Sequence, residues 1–300
     1  MKNYRKPAWF QQLLTFSLLF ALANFAQAAN DKALFWEASR GEEKLYVLGS
    51  IHVANEDFYP LRADIEKGFA EADALVVEAD TVEFSQNMEA QKKVAAMSLY
   101  PVGTNLKTEL SASTYKMFAD WAASRGVPEA MLAQQKPAIA MLSISMLEFQ
   151  RMGLSAQHGI DLHFLQAAYG KNGKILELEG VLPQLEILNN LPQQDLLLRK
   201  TLQEVDEMET MLPKMTSLWK SGDAAGLYNM FIGEPLKEQP EMTKLYEMLF
   251  FERNRNMAGR IDNLSKEHGK LFVVVGAGHL VGPGSVIEEL EKRGFQLARK

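Results

Sequence analysis

The chain is 300 residues long, with 47% apolar residues, 23% charged residues and a formal net charge of −6. These values are typical of a globular protein with a buried core, and they exclude a disordered, collagen-like or disulfide-stapled chain. The acidic balance argues against nucleic acid as a partner. Because cysteine is absent, metal or acid–base chemistry has to use some of the five histidines together with carboxylates.

The first 28 residues have the three parts of a secretory signal peptide: a basic start at residues 2–6, an apolar run over about residues 13–25, and Ala-Gln-Ala at residues 26–28. The alternative is a membrane anchor, but the apolar run is short for a span of roughly 20 residues. We expect cleavage near Ala28-Ala29 and a periplasmic or secreted protein. No later segment is apolar enough to span a bilayer, so the mature chain is expected to have no stable membrane span.

Residues 29–300 are predicted to form a single α/β domain. Leu45–Leu48 and Leu75–Val77 are short apolar runs typical of buried strands, and a helix is predicted from Pro60 to about Ala70 between them. This β-α-β unit implies parallel strands with a right-handed crossover.

The next part of the chain, roughly residues 83–166, has a helical pattern and is predicted to be a large helical insertion. Ser111 is the expected N-cap of one helix, Gly126 is its expected stop, and Pro137 is expected to begin another.

A third strand is predicted at Lys174–Leu178, followed by long helices over roughly residues 192–266, in which Pro213 is expected to kink or end the first. Leu271–Val275 is the strongest strand in the sequence. A helix at residues 285–293 and an edge strand at residues 295–298 follow. The predicted fold class is therefore α/β, with a central mixed, mostly parallel sheet flanked by helices.

Three of the predicted strands run directly into a possible ligand. The first leads through Gly-Ser-Ile to His52, the second leads to Glu78, and the strand at residues 271–275 leads through Gly-Ala-Gly to His279. Ligands of open α/β sheets bind outside the carboxyl ends of the strands, so these side chains are expected to meet in one cleft. The glycines let the backbone turn sharply and leave room beside it.

Simpler interpretations exist for each of these residues singly. A lone histidine at a strand end is usually a hydrogen-bonded surface residue, and Glu78 alone would cap the next loop. The coincidence of two of only five histidines in equivalent settings favours a shared site. Two imidazoles and a carboxylate suit Zn, Mn, Fe or Co and leave positions open for water and substrate. Whether Glu78 is a ligand or a general base stays open.

Other polar residues are weaker candidates for the site when only their sequence pattern is considered. Asp161 is interpreted first as a helix-start charge that complements the dipole. Glu177 and Glu179 alternate along or beyond the third strand, so that one of them faces the site and the other does not. Arg253 and Asn254 lie in a charged helical run, which is usually a solvated face.

These residues carry a family resemblance. The motifs at residues 49–52, 76–78 and 276–279, in this order and at these distances, resemble the TraB/GumN family. That family includes the TIKI metalloproteases and is akin to the erythromycin-esterase (EreA) and ChaN-like proteins. The resemblance extends through residues 159–161, 174–184, 253–254 and 282–286, and so covers essentially the whole mature chain.

The resemblance implies a mixed, mostly parallel sheet of the EreA/ChaN-like type and a divalent-metal site built from His52, Glu78 and His279. It also implies that Arg253 orients the substrate or an oxyanion. Ser50 stands where the family often has threonine.

Four further residues are expected around that site as supporting or substrate-contacting groups: Ser50, Asp161, Glu179 and Asn254. Gln184 is expected, like Glu179, to be at most a supporting residue of the site. Gly180 stands where the family commonly has threonine.

The resulting hypothesis is an exported metal-dependent hydrolase, a TIKI-like metallopeptidase that cleaves a peptide bond with a metal-activated water. The expected cofactor is Mn, Co or Zn, and the expected partner is a peptide or protein substrate. The alternative is a non-catalytic periplasmic binding protein that sequesters haem, a metal or a peptide signal. It would use the same cleft and the methionine-rich helices as a groove.

Overall fold

The structure is a computed structural model that describes residues 31–300. The signal-peptide prediction for residues 1–28 lies outside the described residues. Within the described residues, six strands form one mixed sheet and helices flank it, which confirms the predicted fold class.

The strands of the sheet are β1 (Leu34–Arg40), β2 (Glu43–Ser50), β3 (Ala74–Val77), β4 (Lys174–Glu177), β5 (Lys270–Gly276) and β6 (Gln296–Arg299), and their order is β4-β3-β5-β2-β1-β6. The pairs β4-β3, β3-β5 and β5-β2 are parallel, whereas β1 is antiparallel to both β2 and β6.

The central position of β5 is what arranges the site. The predicted β-α-β unit has its parallel strands β2 and β3, but these strands are not neighbours, because β5 pairs with both. The carboxyl end of β5 therefore lies between the carboxyl ends of β2 and β3. Its register pairs Gly276 with Ser50 and Val274 with Val77.

Strand β1 was not anticipated from the sequence pattern. Leu34, Phe35 and Trp36 are all buried, as is Ala38, so the strand shows no clean alternation of apolar and polar residues. It separates β2 from the predicted edge strand, which is present as β6.

Most of the helices follow β3 and precede β5 along the chain. They are α1 (Ala63–Glu71), α2 (Thr81–Gln86), α3 (Met88–Ser98), α4 (Leu106–Glu109), α5 (Ala112–Arg125), α6 (Pro137–Arg151), α7 (Ile160–Gly170), α8 (Val181–Asn189), α9 (Gln194–Glu204), α10 (Met208–Ser221), α11 (Ala224–Tyr228), α12 (Glu234–Glu238), α13 (Thr243–Tyr246), α14 (Glu252–His268) and α15 (Val286–Lys292). Two π-helical segments, Asn229–Gly233 and Glu247–Phe251, follow α11 and α13.

Several helix boundaries agree with the sequence signals. Ser111 caps α5 by accepting a hydrogen bond from the Thr114 amide, Gly126 ends that helix in the left-handed conformation, and Pro137 occupies the first position of α6.

Two helix predictions were wrong in position. Helix α1 begins at Ala63 rather than at Pro60. The break in the long helical stretch falls between Glu204 and Met208, where a turn separates α9 from α10, and Pro213 lies inside α10. Because Pro213 is in the second turn of that helix, it removes only one hydrogen bond close to the helix start, and the helix continues.

The core contains the sheet and a cluster of aromatic rings. The Phe272 ring on β5 lies 4.8 Å from the Phe164 ring and 5.5 Å from the Phe69 ring, measured between centroids. Buried Trp219 on α10 donates a hydrogen bond of 2.8 Å to the Gly49 carbonyl at the end of β2. This bond ties the helical layer to the strand that leads to His52.

In the described part of the chain, no helix is both long enough and apolar enough to cross a membrane.

Candidate active site

The three residues that follow the strands meet at Gly276, the last residue of β5. A Cβ atom on Gly276 would lie 3.3 Å from both His52 Nε2 and Glu78 Oε1, and 3.6 Å from His279 Cδ2. The absence of a side chain there lets the two imidazoles and the carboxylate surround one point. The structure thus brings together three side chains that are far apart in the sequence.

His52 stands at the open side of this cluster, with 65% of its side chain accessible. Its Nδ1 lies 2.7 Å from Asp161 Oδ2, and Ser50 Oγ donates a hydrogen bond of 2.5 Å to Asp161 Oδ1. The negative charge of Asp161 and its hydrogen bond raise the pKa of His52 to about 9. Without a metal, His52 is therefore protonated at neutral pH.

Asp161 is a helix-start charge, as expected, and it also contacts the site. It lies in the first turn of α7, whose N-cap is Gly159, and its two carboxylate oxygens contact His52 and Ser50. A Cβ atom on Gly159 would lie 2.5 Å from the His52 carbonyl oxygen. The glycine therefore permits the close approach that puts the start of α7 against His52.

Glu78 is buried, with only 8% of the residue exposed, and both of its carboxylate oxygens are held. Oε1 accepts a hydrogen bond of 2.6 Å from the Gly276 amide, and Oε2 accepts bonds of 2.9 Å from Arg253 and from Gln184. Burial by itself would raise the pKa of Glu78. The charges of the two histidines and Arg253 outweigh that effect and hold the pKa at about 2.

His279 lies in the short 3₁₀ turn Ala277–Leu280 that follows β5, and it is buried. Its Nδ1 lies 2.6 Å from Asn254 Oδ1, and the Asn254 side chain in turn donates a 2.7 Å hydrogen bond to the Gly284 carbonyl. Burial lowers the pKa of His279 to about 4. A neutral ring that donates from Nδ1 to Asn254 presents its Nε2 lone pair to the site.

Arg253 contacts carboxylates rather than open space. Its Nε and Nη2 donate to the two oxygens of Glu179 at 2.8 and 2.7 Å, and the same Nη2 donates to Glu78. Its Nη1 donates to the Leu249 carbonyl at 3.2 Å. The solvated-face interpretation of Arg253 and Asn254 is therefore wrong for both residues, because one is in this ion-pair network and the other holds His279.

The remaining candidates lie apart from this cluster. His163 contacts Glu66, and His268 contacts Lys174. Glu177 accepts a hydrogen bond from the Asp80 amide, so of the two alternating glutamates it is Glu179 that reaches the site.

Phe250 also belongs to this site, although its role was not predicted from the sequence. The ring of this residue packs 5.3 Å from the His279 ring between centroids, and it would contact a Cβ atom on Gly278 at 3.0 Å. The available signal was its position three residues before Arg253 in the same helical stretch. The intervening π-helical segment, which changes the angular spacing of the side chains, is not visible in the sequence pattern.

The donor set fits a divalent metal in the type of its ligand atoms. Each imidazole is oriented through Nδ1 by a side-chain oxygen, as is usual for metal-binding histidines. Within residues 31–300, however, no three His, Asp or Glu side chains are already disposed to hold an ion. Glu78 would have to share an oxygen that already accepts a hydrogen bond, which a carboxylate oxygen with a second acceptor position can do.

The family model for the TraB/PrgY/gumN family matches residues 34–299, so the chain belongs to this family. Two bacterial relatives are each 29% identical over 255 residues, which is 83% of this chain and 89% of the relative. They are the uncharacterized protein YbaP of Escherichia coli (strain K12) and the uncharacterized protein YbaP of Shigella flexneri. No solved structure matches the chain.

Proposed function

We propose that this member of the TraB family is an exported, divalent-metal-dependent hydrolase that cleaves peptide bonds. The single observation that supports the proposal best is the convergence of His52, Glu78 and His279 around Gly276. Each of these side chains is held by a partner from another part of the chain. Such a cluster of strongly perturbed titratable groups at strand ends is typical of an active site.

His52 and His279 would hold the ion through their Nε2 atoms, with Glu78 as the third protein ligand or as the base beside it. A bound Zn²⁺, Mn²⁺ or Co²⁺ supplies Lewis-acid polarisation of a carbonyl and lowers the pKa of water. Asp161 orients the His52 ring and Asn254 orients the His279 ring, so that both face the same point.

Arg253 and Gln184 position Glu78, since both donate to its Oε2 and leave Oε1 on the side of the histidines. The expected role of Arg253 toward an oxyanion requires its guanidinium to leave Glu179 or Glu78 when substrate binds. In the present arrangement its four hydrogen bonds make it a positioning residue.

The proposal is tested on the purified chain from residue 29 onward. Metal content is measured first, and a mixed peptide library is then incubated with the protein, with and without a chelator. We expect bound divalent metal and cleavage that the chelator abolishes and added metal restores. Tight binding of a ligand without any turnover would contradict the hydrolase and would favour a sequestering protein.

Export is tested separately by expressing the full chain in a bacterium with a periplasm. We expect the periplasmic product to begin at Ala29, as measured by the mass of the intact protein. Leu18→Arg, which interrupts the apolar run, should leave the uncleaved chain in the cytoplasm, whereas Thr15→Ser should not. A cytoplasmic product that retains residues 1–28 in the unaltered chain would contradict export.

A further inference from the structure

A concave feature lies among the helices α6, α9, α10, α12 and α13. It is a cavity of about 600 Å³, which is within the range of ligand sites in proteins. Its apolar lining includes Met141, Leu197, Met230, Phe231 and Leu245. Methionine side chains are flexible and polarizable, and they adapt to apolar groups of different shape.

The charged lining of this cavity is predominantly acidic. Four glutamates, at positions 204, 207, 234 and 238, and two lysines, at positions 200 and 214, line it. The ammonium group of Lys200 donates to the side-chain carbonyl of Gln239, another lining residue. The cavity therefore combines an apolar interior with an excess of negative charge, which complements a ligand that is apolar and cationic.

Aromatic contacts connect the cavity to the candidate active site. Tyr246 lines the cavity and stacks on Phe250, with ring centroids 5.8 Å apart and planes within 17°. Phe250 in turn packs against His279 at 5.3 Å. An extended chain advances about 3.3–3.6 Å per residue. Roughly three residues of such a chain therefore span the distance from the Tyr246 ring, past the Phe250 ring, to the His279 ring.

The connection runs through an unusual segment of backbone. Phe250 belongs to the π-helical segment Glu247–Phe251, and the lining residues Met230 and Phe231 belong to the other π-helical segment, Asn229–Gly233. Such segments are rare and occur often at functional sites. The segment Glu247–Phe251 directly follows the lining residue Tyr246 and carries the ring that packs on His279, whereas Asn229–Gly233 contributes to the cavity lining.

We propose that this cavity binds a segment of the peptide substrate in which a long apolar residue is next to a basic residue, about three residues from the bond that is cleaved. The assignment of this segment as substrate rests on the proposed function. The apolar side chain occupies the methionine-lined interior, and the basic side chain extends its charged end toward the glutamates. An acidic residue in the same place is repelled.

Binding is measured by fluorescence anisotropy on the wild-type chain in the presence of chelator, so that no peptide is consumed. The probes are three fluorescein-labelled heptapeptides of the form Gly-Ala-X-Z-Ala-Gly-Ala, with X-Z being Leu-Lys, Leu-Glu or Ser-Lys. We expect the Leu-Lys peptide to bind at least about fivefold more tightly than either of the other two, a difference of roughly 1 kcal/mol. Equal affinities for the three peptides would overturn the proposal.

Matched variants separate the cavity from general surface charge. The double variant Glu204→Gln/Glu238→Gln removes two lining charges and should weaken binding of the Leu-Lys peptide by about fivefold or more. The control Glu209→Gln/Glu241→Gln alters two exposed glutamates that do not line the cavity, and it should bind like the wild type. Equal losses in the two double variants would contradict the proposal.

A third variant, Thr201→Trp, fills the cavity from its half-exposed wall and should abolish the preference for Leu-Lys over Ser-Lys. The circular dichroism of each variant is recorded, and if Thr201→Trp fails to fold, the glutamate variants decide.

A Leu-Lys preference in binding, with no cleavage of any peptide, supports the cavity assignment and contradicts the proposed function. Chelator-sensitive cleavage without that preference contradicts the cavity assignment alone.

Discussion

His52 and Asp161 are 109 residues apart in the chain, yet His52 Nδ1 lies 2.7 Å from Asp161 Oδ2. His279, in contrast, is held by the neutral amide of Asn254. The two histidines thus have different electrostatic surroundings. The pKa of His52 is raised to about 9, and the pKa of His279 is lowered to about 4.

This asymmetry predicts that metal binding depends on pH. Below a pKa of about 9 the ion has to displace a proton from His52, so the affinity should rise about tenfold per pH unit between pH 7 and 9. In Asp161→Asn the pKa of His52 falls, and the rise should level off at lower pH. Isothermal titration of the metal-free protein with Zn²⁺ measures both curves. Affinity independent of pH over this range in the wild type would contradict the prediction.

The low pKa of His279 predicts that the metal-free protein loses stability in mild acid. The unfolded chain takes up a proton near pH 6.5, whereas the folded His279 does so only near pH 4. The free energy of unfolding should therefore fall as the pH drops from 6.5 to 4, by up to about 3 kcal/mol. In His279→Asn, measured by urea unfolding, this decrease should be smaller.

His52 predicts the opposite slope at higher pH. Because its pKa is raised by folding, its contribution to stability is complete below pH 6.5 and is lost as the pH rises to about 9. His52→Asn should flatten the stability curve in this upper range and leave the range below pH 6.5 unchanged. If both histidine variants changed the same range, the assignment of the two pKa shifts would be wrong.

The pairing of Arg253 with two carboxylates predicts that lysine cannot replace it. Arg253→Lys keeps the charge but loses the fork that bonds to both oxygens of Glu179 and also to Glu78. We expect peptide cleavage to fall by roughly 10- to 100-fold because Glu78 is no longer held. The matched control is Arg255→Lys, two residues later on α14, where the exposed side chain pairs with Glu247. Equal activities of the two variants would contradict the positioning role.

Gly276 predicts a loss of function without a loss of fold. Its φ of −51° is accessible to alanine, but the added methyl group would lie 3.3 Å from His52 Nε2 and Glu78 Oε1. Gly276→Ala should keep its circular dichroism spectrum and lose bound metal and cleavage. Gly170→Ala, where a Cβ atom meets nothing within 4 Å, is the control and should retain both. A fully active Gly276→Ala would show that the space beside this glycine is not used.

The strand-end residues could be predicted from sequence because a strong apolar run followed by a glycine and a histidine carries its own local signal. The apolar runs placed β2, β3 and β5 correctly to within a few residues. The position of β5 between β2 and β3 could not be predicted, since register and strand order depend on contacts between distant segments.

The partners of the site residues were harder to predict for the same reason. Asp161 has a local role as a first-turn acid, which its position in the sequence already explains. Its second contact, to His52, depends on the start of α7 meeting the segment after β2, where the Ile160 amide donates to the Ile51 carbonyl. Arg253 lies in a run of charged residues that resembles an exposed helix face. Its burial follows from the two carboxylates that reach it from the ends of β3 and β4.

The measurement that tests the central claim most directly is chelator-sensitive peptide cleavage by single histidine variants, with bound metal quantified in the same samples. We expect His52→Ala and His279→Ala each to lose metal and cleavage. We expect His163→Ala and His268→Ala, which alter histidines paired elsewhere, to retain both. Full metal content and full activity in His52→Ala and His279→Ala would contradict a shared centre at these residues.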